Sequence, residues 1–406
     1  MEEWKEYKLE DLCNGKGSYG IGASAVPFSK DKFTYLRITD INDDGTLNKS
    51  GLMSVADEDA NKYILENNDI VFARTGNSTG RSYFYDGTDG TLVYAGFLIK
   101  FSLDEEKVNP RILKYYTHSK PYYDWVKSFD TGGTRGNINA KTYGALPISL
   151  PPRKVQDRIV EILKSLDDKI EVNRRINAEL EELAQTLFKS WFVDFEPFKD
   201  SEFVESELGM IPKGWKVVSL GELMKYSGGS QPPASEFIEE YKEGYIRFIQ
   251  IRDYASESHI TYIPISKKNK LCDVKDIMIA RYGASLGRIC YGLKGAYNVA
   301  LAKVTPLKEY YREFLRCYLS SKEFYEGLNM KGNRAVQAGF NQGDIDSFML
   351  PFPTNENIIM KYEAVSALLF EKRLHNQQEI THLTALRDTL LPKLMSGEID
   401  VNDVNI

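Results

Sequence analysis

The chain reads Pro151-Pro152-Arg153-Lys154-Val155-Gln156-Asp157-Arg158-Ile159-Val160-Glu161-Ile162-Leu163-Lys164-Ser165-Leu166-Asp167-Asp168-Lys169-Ile170 and runs on to Glu196-Pro197 with no glycine or proline between. Apolar side chains recur every three or four residues, at Val155, Ile159, Ile162, Leu166 and Ile170. The rhythm continues through Asn173, Asn177, Leu180, Leu183, Leu187 and Trp191. This is the pattern of one helix with a single narrow apolar seam. The spacing lies closer to the 3.5-residue coiled-coil repeat than to a broad core face. At 1.5 Å per residue, roughly 40 residues form a rod about 60 Å long. Such a rod cannot bury its seam on itself and needs a partner helix.

The partner is in the same chain, because the chain repeats itself. Trp4-Lys5-Glu6-Tyr7-Lys8-Leu9 is answered by Trp215-Lys216-Val217-Val218-Ser219-Leu220. Tyr35 to Ile41 is answered by Phe248 to Tyr254. Asp69-Ile70-Val71-Phe72-Ala73-Arg74-Thr75-Gly76 is answered by Asp276-Ile277-Met278-Ile279-Ala280-Arg281-Tyr282-Gly283. Ser119-Lys120 and Tyr123 are answered by Ser321-Lys322 and Tyr325. Blocks of this kind at slowly drifting spacing mean one fold used twice with different loop lengths. After Leu350-Pro351-Phe352-Pro353 a second glycine-free stretch begins. Its seam is Ile359, Tyr362, Val365, Leu369, Arg373, Asn376, Ile380, Leu383, Leu386 and Leu390, and Pro392 and Gly397 are expected to end it. Asn173 and Asn376 hold equivalent seam positions near the two midpoints. An antiparallel pair would bring them close together, where they would help fix register.

The expected fold class is therefore α+β: two mixed α/β domains in a pseudo-two-fold repeat, separated by a pair of long antiparallel coiled-coil helices. Residues 1–150 form the first domain, 151–197 the first helix and 198–211 an acidic linker. Residues 212–352 form the second domain, 353–397 the second helix and 398–406 a tail. One aromatic-rich helix is expected in each domain, over Arg111 to Lys127 and Tyr310 to Leu328.

A length of 406 residues fits two or more domains, and 42% hydrophobic with 27% charged residues is ordinary for a globular protein. No apolar run is long enough to span a membrane, and Met1-Glu2-Glu3-Trp4-Lys5 does not read as a signal peptide. Cys13, Cys272, Cys290 and Cys317 are scattered without a CxxC pair, which argues against zinc or a disulfide framework and fits a reducing, cytoplasmic setting. The net charge of −6 argues weakly against indiscriminate nucleic-acid binding. It hides a division, however: residues 212–352 carry 20 Lys/Arg against 15 Asp/Glu, and residues 1–150 carry 18 against 21. A specific binder can confine its basic residues to one surface.

Catalytic patterns are missing. Gly15-Lys16-Gly17-Ser18-Tyr19-Gly20 matches GxGxxG, but no buried strand leads in and no helix follows, so a flexible loop is the better reading. There is no GxxxxGK[ST] loop. His118, His259, His375 and His382 show no metal-ligand spacing. No Asn-Pro-Pro-aromatic or Asp-Pro-Pro-aromatic tetrapeptide of an amino-methyltransferase occurs.

Polar recognition chemistry on loops remains. Arg74, Thr75, Asn77, Ser78 and Arg81 and their counterparts Arg281, Tyr282, Ser285 and Arg288 surround a glycine turn. Arg135 and Asn137 have loose counterparts in Arg334 and Gln337. Arginine can pair bidentately with guanine, and Asn or Gln with adenine. Small residues and backbone N–H groups can approach phosphate. Two readers of different sequences should differ where they read, so shared residues suit fold-keeping or phosphate contact. The divergent loops Gly15 to Lys32 and Ser227 to Tyr241 are better candidates for base readout.

From end to end the chain resembles the specificity subunit of a type I restriction–modification system. The resemblance rests on Leu150-Pro151-Pro152 leading into the first helix and Leu187-Phe188-Lys189-Ser190-Trp191-Phe192-Val193-Asp194-Phe195-Glu196-Pro197 closing it. It rests also on Leu208-Gly209-Met210-Ile211-Pro212-Lys213-Gly214-Trp215, and on Leu386-Arg387-Asp388-Thr389-Leu390-Leu391-Pro392-Lys393-Leu394-Met395-Ser396-Gly397-Glu398-Ile399. Small departures occur at Arg153 to Asp157 and at Thr354 to Asn357, where the family's Glu-Gln step is altered or absent. The resemblance implies two target recognition domains, each reading one half of a bipartite, asymmetric site on double-stranded DNA, with the helix pair as spacer. It implies assembly with two modification subunits, which carry S-adenosylmethionine and methylate adenine, and with restriction subunits, which use ATP and Mg. It assigns no cofactor and no catalytic or metal-binding residue to this chain. Two other readings compete: a non-catalytic paired-helix protein–protein scaffold without DNA readout, and a DNA methyltransferase in its own right.

Overall fold

The computed structural model describes residues 4–129, 137–255, 259–332 and 339–404. It divides into two compact units, the first of residues 1–170 with 381–406 and the second of residues 171–380.

In the first unit, two four-stranded sheets share the work. One has the order Ser18–Tyr19, Leu98–Ser102, Asp69–Ala73, Ser82–Tyr85, all antiparallel. Every residue of Asp69–Ala73 is buried. Its unbroken apolar run suits a strand covered on both faces rather than one with a wet side. The second sheet has the order Ala25–Pro27, Met53–Val55, Phe33–Leu36, Leu92–Tyr94, with the last two parallel. A two-stranded ribbon of Lys5–Lys8 and Pro147–Leu150 completes the set.

The second unit repeats this plan. Met224–Gly228, Leu301–Pro306, Ile277–Ala280 and Ile289–Cys290 form the counterpart of the first sheet. Thr261–Pro264, Tyr245–Ile249, Gly295–Tyr297 and Leu271–Cys272 form that of the second. The copies differ at the edges. Ile238 makes only a bridge to Tyr262 where the first unit has the strand Ala25–Pro27, and Ile64 makes only a bridge to Val93 where the second unit has Leu271–Cys272.

The first long helix spans Arg153–Phe192 and the second Glu356–Ser396. They run antiparallel in both units. In the first, Arg387 Nη1 donates to Asp167 Oδ1 at 3.0 Å. In the second, Asn173 Nδ2 donates to Glu379 Oε2 at 2.8 Å and Asn177 Nδ2 to the Arg373 carbonyl at 3.2 Å. The entry to the first helix is pinned by buried Gln156, which accepts from the Asn109 N–H at 3.0 Å and donates to the Pro151 carbonyl at 2.8 Å.

Three expectations need correction. The buried stripe leaves the expected seam. Leu183, Val365 and Leu386 are exposed, while Ala184, Phe188, Phe192, Ser366 and Phe370 are buried. A straight helix drifts from a strict heptad by about 20° per repeat. The drift turns Phe188 and Phe192 onto Phe314 and Tyr362, with Phe192 lying 4.8 Å from each ring centroid. Pro392 does not end the second helix. Buried Leu391 and Leu394 hold the turn on either side of it, and the helix stops at Gly397, whose φ of +74° a glycine takes without strain. The linker 198–211 carries structure of its own. Phe203–Ser206 and Gly209–Pro212 pair as a hairpin closed by the Ser206 hydroxyl on the Gly209 carbonyl at 2.6 Å, while Phe198 packs on Trp191 and Trp215. Finally, each aromatic-rich helix is two: Pro110–Tyr116 with Lys120–Lys127, and Arg312–Leu319 with Lys322–Gly332. Ser119, extended at the N-cap position before Pro121, restarts the helix in the first unit.

Candidate nucleic-acid interface

In each unit the central strand ends in an arginine around which loops converge. Arg74 follows Asp69–Ala73. Its N–H donates to the Phe97 carbonyl at 3.1 Å, and its carbonyl accepts from the Ile138 N–H at 3.0 Å. Its guanidinium lies over the Tyr19 ring, 5.1 Å from the centroid. The Tyr19 hydroxyl accepts from the Ala140 N–H at 3.1 Å. Arg281 follows Ile277–Ala280, its N–H donating to the Ala300 carbonyl at 2.8 Å. Its guanidinium lies 5.0 Å over the ring of its own neighbour, Tyr282. The Nε atoms of Arg74 and Arg281 are both buried without a hydrogen-bond partner. Among the described residues neither guanidinium pairs with a carboxylate. Cation–π stacking of this kind holds the guanidinium plane in place and leaves its terminal N–H groups for a ligand.

A close backbone approach fixes the first loop in both units. A Cβ on Gly20 would lie 2.3 Å from the Tyr94 carbonyl oxygen, and one on Gly229 would lie 2.1 Å from that of Asn298. Beside these glycines Ser18 bonds the Tyr94 hydroxyl at 2.9 Å and Ser227 that of Tyr297 at 3.0 Å. Burial raises both phenols above their ordinary range, so they stay protonated hydrogen-bonding groups.

The other candidates separate. Thr75 bridges to Asn137, which brings those two residues together, and Asn77 is exposed. Ser78 is buried. Arg81 is engaged, donating to the Ile41 carbonyl at 3.1 Å and pairing with Asp43 at 2.6 Å. Its role is to hold the loop. Arg288 is exposed and, with Ser285, Lys322, Tyr325 and Arg373, lines an open cavity of about 660 Å³. Tyr282 is 43% exposed. Arg135, Arg334 and Gln337 lie outside the described residues.

Asn173 and Asn376 are both buried in the second unit. They do not bond each other. Asn376 Nδ2 donates to Asn177 Oδ1 at 3.0 Å, while Asn173 reaches Glu379 one turn away. The Asn376 carbonyl oxygen has no partner.

Two further aromatic residues join the surroundings of Arg74, Tyr19 and Phe97, 42% and 59% exposed. Tyr19 lies within the divergent loop Gly15 to Lys32, which the sequence marks as a candidate for base readout. Phe97 carried no signal, being a single aromatic in a turn. Among the described residues no group of three or more His, Cys, Asp or Glu could hold a metal ion. Among the described residues no helix is long and apolar enough to cross a membrane. All four cysteines are buried, and burial pushes Cys13 and Cys317 up to about 12 and Cys272 and Cys290 up to about 11, far from a reactive thiolate.

The model of the type I restriction modification DNA specificity domain matches twice, over residues 1–182 and 212–383. The type I restriction enzyme MjaIX specificity subunit of Methanocaldococcus jannaschii is 30% identical over 74% of this chain and 72% of its own length. The HindI specificity subunit of Haemophilus influenzae is 25% identical over 98% of this chain and all of its own length. The crystal structure of the type I S subunit from M. genitalium shares the fold, with a TM-score of 0.61 at 17% identity over 97% of this chain and 96% of that one. These likenesses do not favour the scaffold reading. A DNA-specificity domain model matched in both halves, on a chain that builds the same loop cluster twice, places this protein in the family of type I restriction–modification specificity subunits, the non-catalytic chains that determine which DNA sequence is recognised.

Proposed function

We propose that each unit reads one half of a split, asymmetric site on double-stranded DNA through the loops around Arg74 and Arg281. The observation that carries this is the duplication: two arginines, each over a tyrosine ring and, among the described residues, free of carboxylates, at equivalent strand ends. The two long helices are 40 and 41 residues long. At about 1.5 Å per residue each is roughly 60 Å long, comparable with one to two turns of duplex at about 34–36 Å per turn. Their length would set the number of unread base pairs. Two modification subunits would dock on this chain, bring S-adenosylmethionine and methylate adenine. Restriction subunits would add the ATP- and Mg-dependent steps. The setting would be the cytoplasm.

The test is to assemble the chain with its modification subunits and sequence the methylated positions of a random DNA library. A bipartite motif is expected. Exchanging residues 212–352 for the matching segment of a relative should replace one half of it. Lengthening both helices by one turn should change the gap and leave both words intact. A motif unmoved by the exchange would end this reading. Binding should weaken steeply with salt, as phosphate contacts require.

A further inference from the structure

The equivalent arginines keep their backbone contacts in both units, yet their surroundings are permuted. The first-loop position is Tyr19 in one unit and Gly228 in the other. The residue after the arginine is Thr75 in one and Tyr282 in the other. The residue whose carbonyl holds the arginine N–H is Phe97 in one and Ala300 in the other. At Gly228 the guanidinium takes the space of the missing side chain: a Cβ there would fall 2.6 Å from Arg281 Nη1, the movable end of that arginine. With no aromatic at this position, Tyr282 supports the guanidinium instead. The result is an exposed aromatic residue at each arginine, but from different elements: Tyr19 under the guanidinium and Phe97 bonded to Arg74 through the backbone in the first unit, Tyr282 in the second.

What two readers share cannot tell two half-sites apart, and groups that grip phosphate or sugar carry no sequence information directly. What they do not share can. Resting on the DNA-reading role proposed above, we infer a division of labour. Arg74 and Arg281 anchor the DNA backbone, and the three permuted positions, led by Phe97 and Tyr282, select the bases of their own half-sites. Exposed rings suit this task. A ring can pack on the thymine methyl at a base edge, and one mismatched pair in a specific site typically changes affinity by about fivefold to a hundredfold.

The experiment uses the full chain assembled with its modification subunits. Phe97→Ala, Tyr282→Thr, and Tyr282→Thr combined with Ala300→Phe are compared with wild type. Library methylation reports the preference in each half-site, and salt titrations report duplex binding. Phe97 and Tyr282 are exposed, so the single variants should fold; a melting temperature within a few degrees of wild type checks this. Each single variant should shift base preference about tenfold within one half-site and leave the other half unchanged. Arg74→Ala and Arg281→Ala should instead weaken binding to all sequences alike and reduce the slope of log affinity against log salt by about one. Unchanged preferences in folded Phe97 and Tyr282 variants would overturn the inference while leaving the DNA-reading role intact. Arginine variants that rewrite the base preference would overturn it too. A wild-type complex that methylates no defined bipartite sequence overturns both.

Discussion

Replacing Asp167 with alanine tests how the first unit is held together. Asp167 sits on the first long helix. One carboxylate oxygen accepts from Lys114 Nζ at 3.1 Å and the Tyr115 hydroxyl at 3.0 Å, both on the helix Pro110–Tyr116. The other accepts from Arg387 on the second long helix at 3.0 Å. One side chain therefore ties three helices. Breaking a fully buried ion pair costs about 3–5 kcal/mol. Here Lys114 is 31% exposed and can turn to water, and Arg387 keeps Asp388 at 2.8 Å. The ionic part is accordingly well below that range, at about 1–2 kcal/mol. Buried Tyr115 loses its acceptor, adding about 1 kcal/mol. The expected loss is about 2–3 kcal/mol, read by urea unfolding and located by hydrogen exchange in residues 1–170 and 381–404. Combining Asp167→Ala with Tyr115→Phe should recover part of it. Burial alone would raise the Asp167 carboxyl, but Lys114 and Arg387 outweigh it and hold the group below its ordinary value. Its stabilisation is thus present above about pH 4 and fades as pH falls through the lowered value. The gap between wild type and variant should shrink accordingly. A variant within about 0.5 kcal/mol of wild type at pH 7 refutes the reasoning, since that is the ordinary scatter of surface changes.

In the second unit, burial, with the nearby Glu313 charge, pushes Glu363 up to about 7 despite the Glu313 N–H it accepts at 2.9 Å. The folded state holds this proton more tightly, so stability should fall as pH rises from about 4.5 through 7. Glu363→Gln should flatten that slope and be the more stable form at pH 8 in thermal melts. Asn376→Leu removes a buried amide oxygen without a partner but also the bond to Asn177, and should change stability by no more than about 1 kcal/mol, at the expense of a fixed helix register. A loss above about 2 kcal/mol in denaturant unfolding would contradict this. Gly20→Ala drives a methyl into two backbone carbonyls and should cost about 2–3 kcal/mol. Methylation sequencing should then show one half-site blurred and the other intact.

The long helices were legible because a 3.6-residue rhythm over some 40 positions outweighs local noise, and the repeat because its core blocks are buried strands under the same constraints in both copies. The finer misses have physical causes. A heptad written on paper does not show the drift that turns Phe188 inward and Leu183 outward. Pro392 reads as a stop until the buried leucines flanking it are seen. The site was half legible. Arg74 and Arg281 stood out as the residues after matching strands, but Arg81, equally prominent in sequence, turns out to be occupied by Asp43. Phe97 and Tyr19 become neighbours of Arg74 only when loops far apart in sequence converge, and no local pattern encodes that.

The core of the first unit holds Leu9 and Leu12 together with Leu391, Leu394 and Val401, and Arg158 donates to the Val404 carbonyl at 2.9 Å. Residues 171–380 contain everything their own core requires. During synthesis, then, the second unit can close while the first still waits for residues 381–404 to be translated. Of the two units, the one begun first is completed second, and its apolar surface stays open until then. Chains cut short by a premature stop near residue 380 would carry an intact second reader beside a first that never matures, and quality control should meet them as half-folded products.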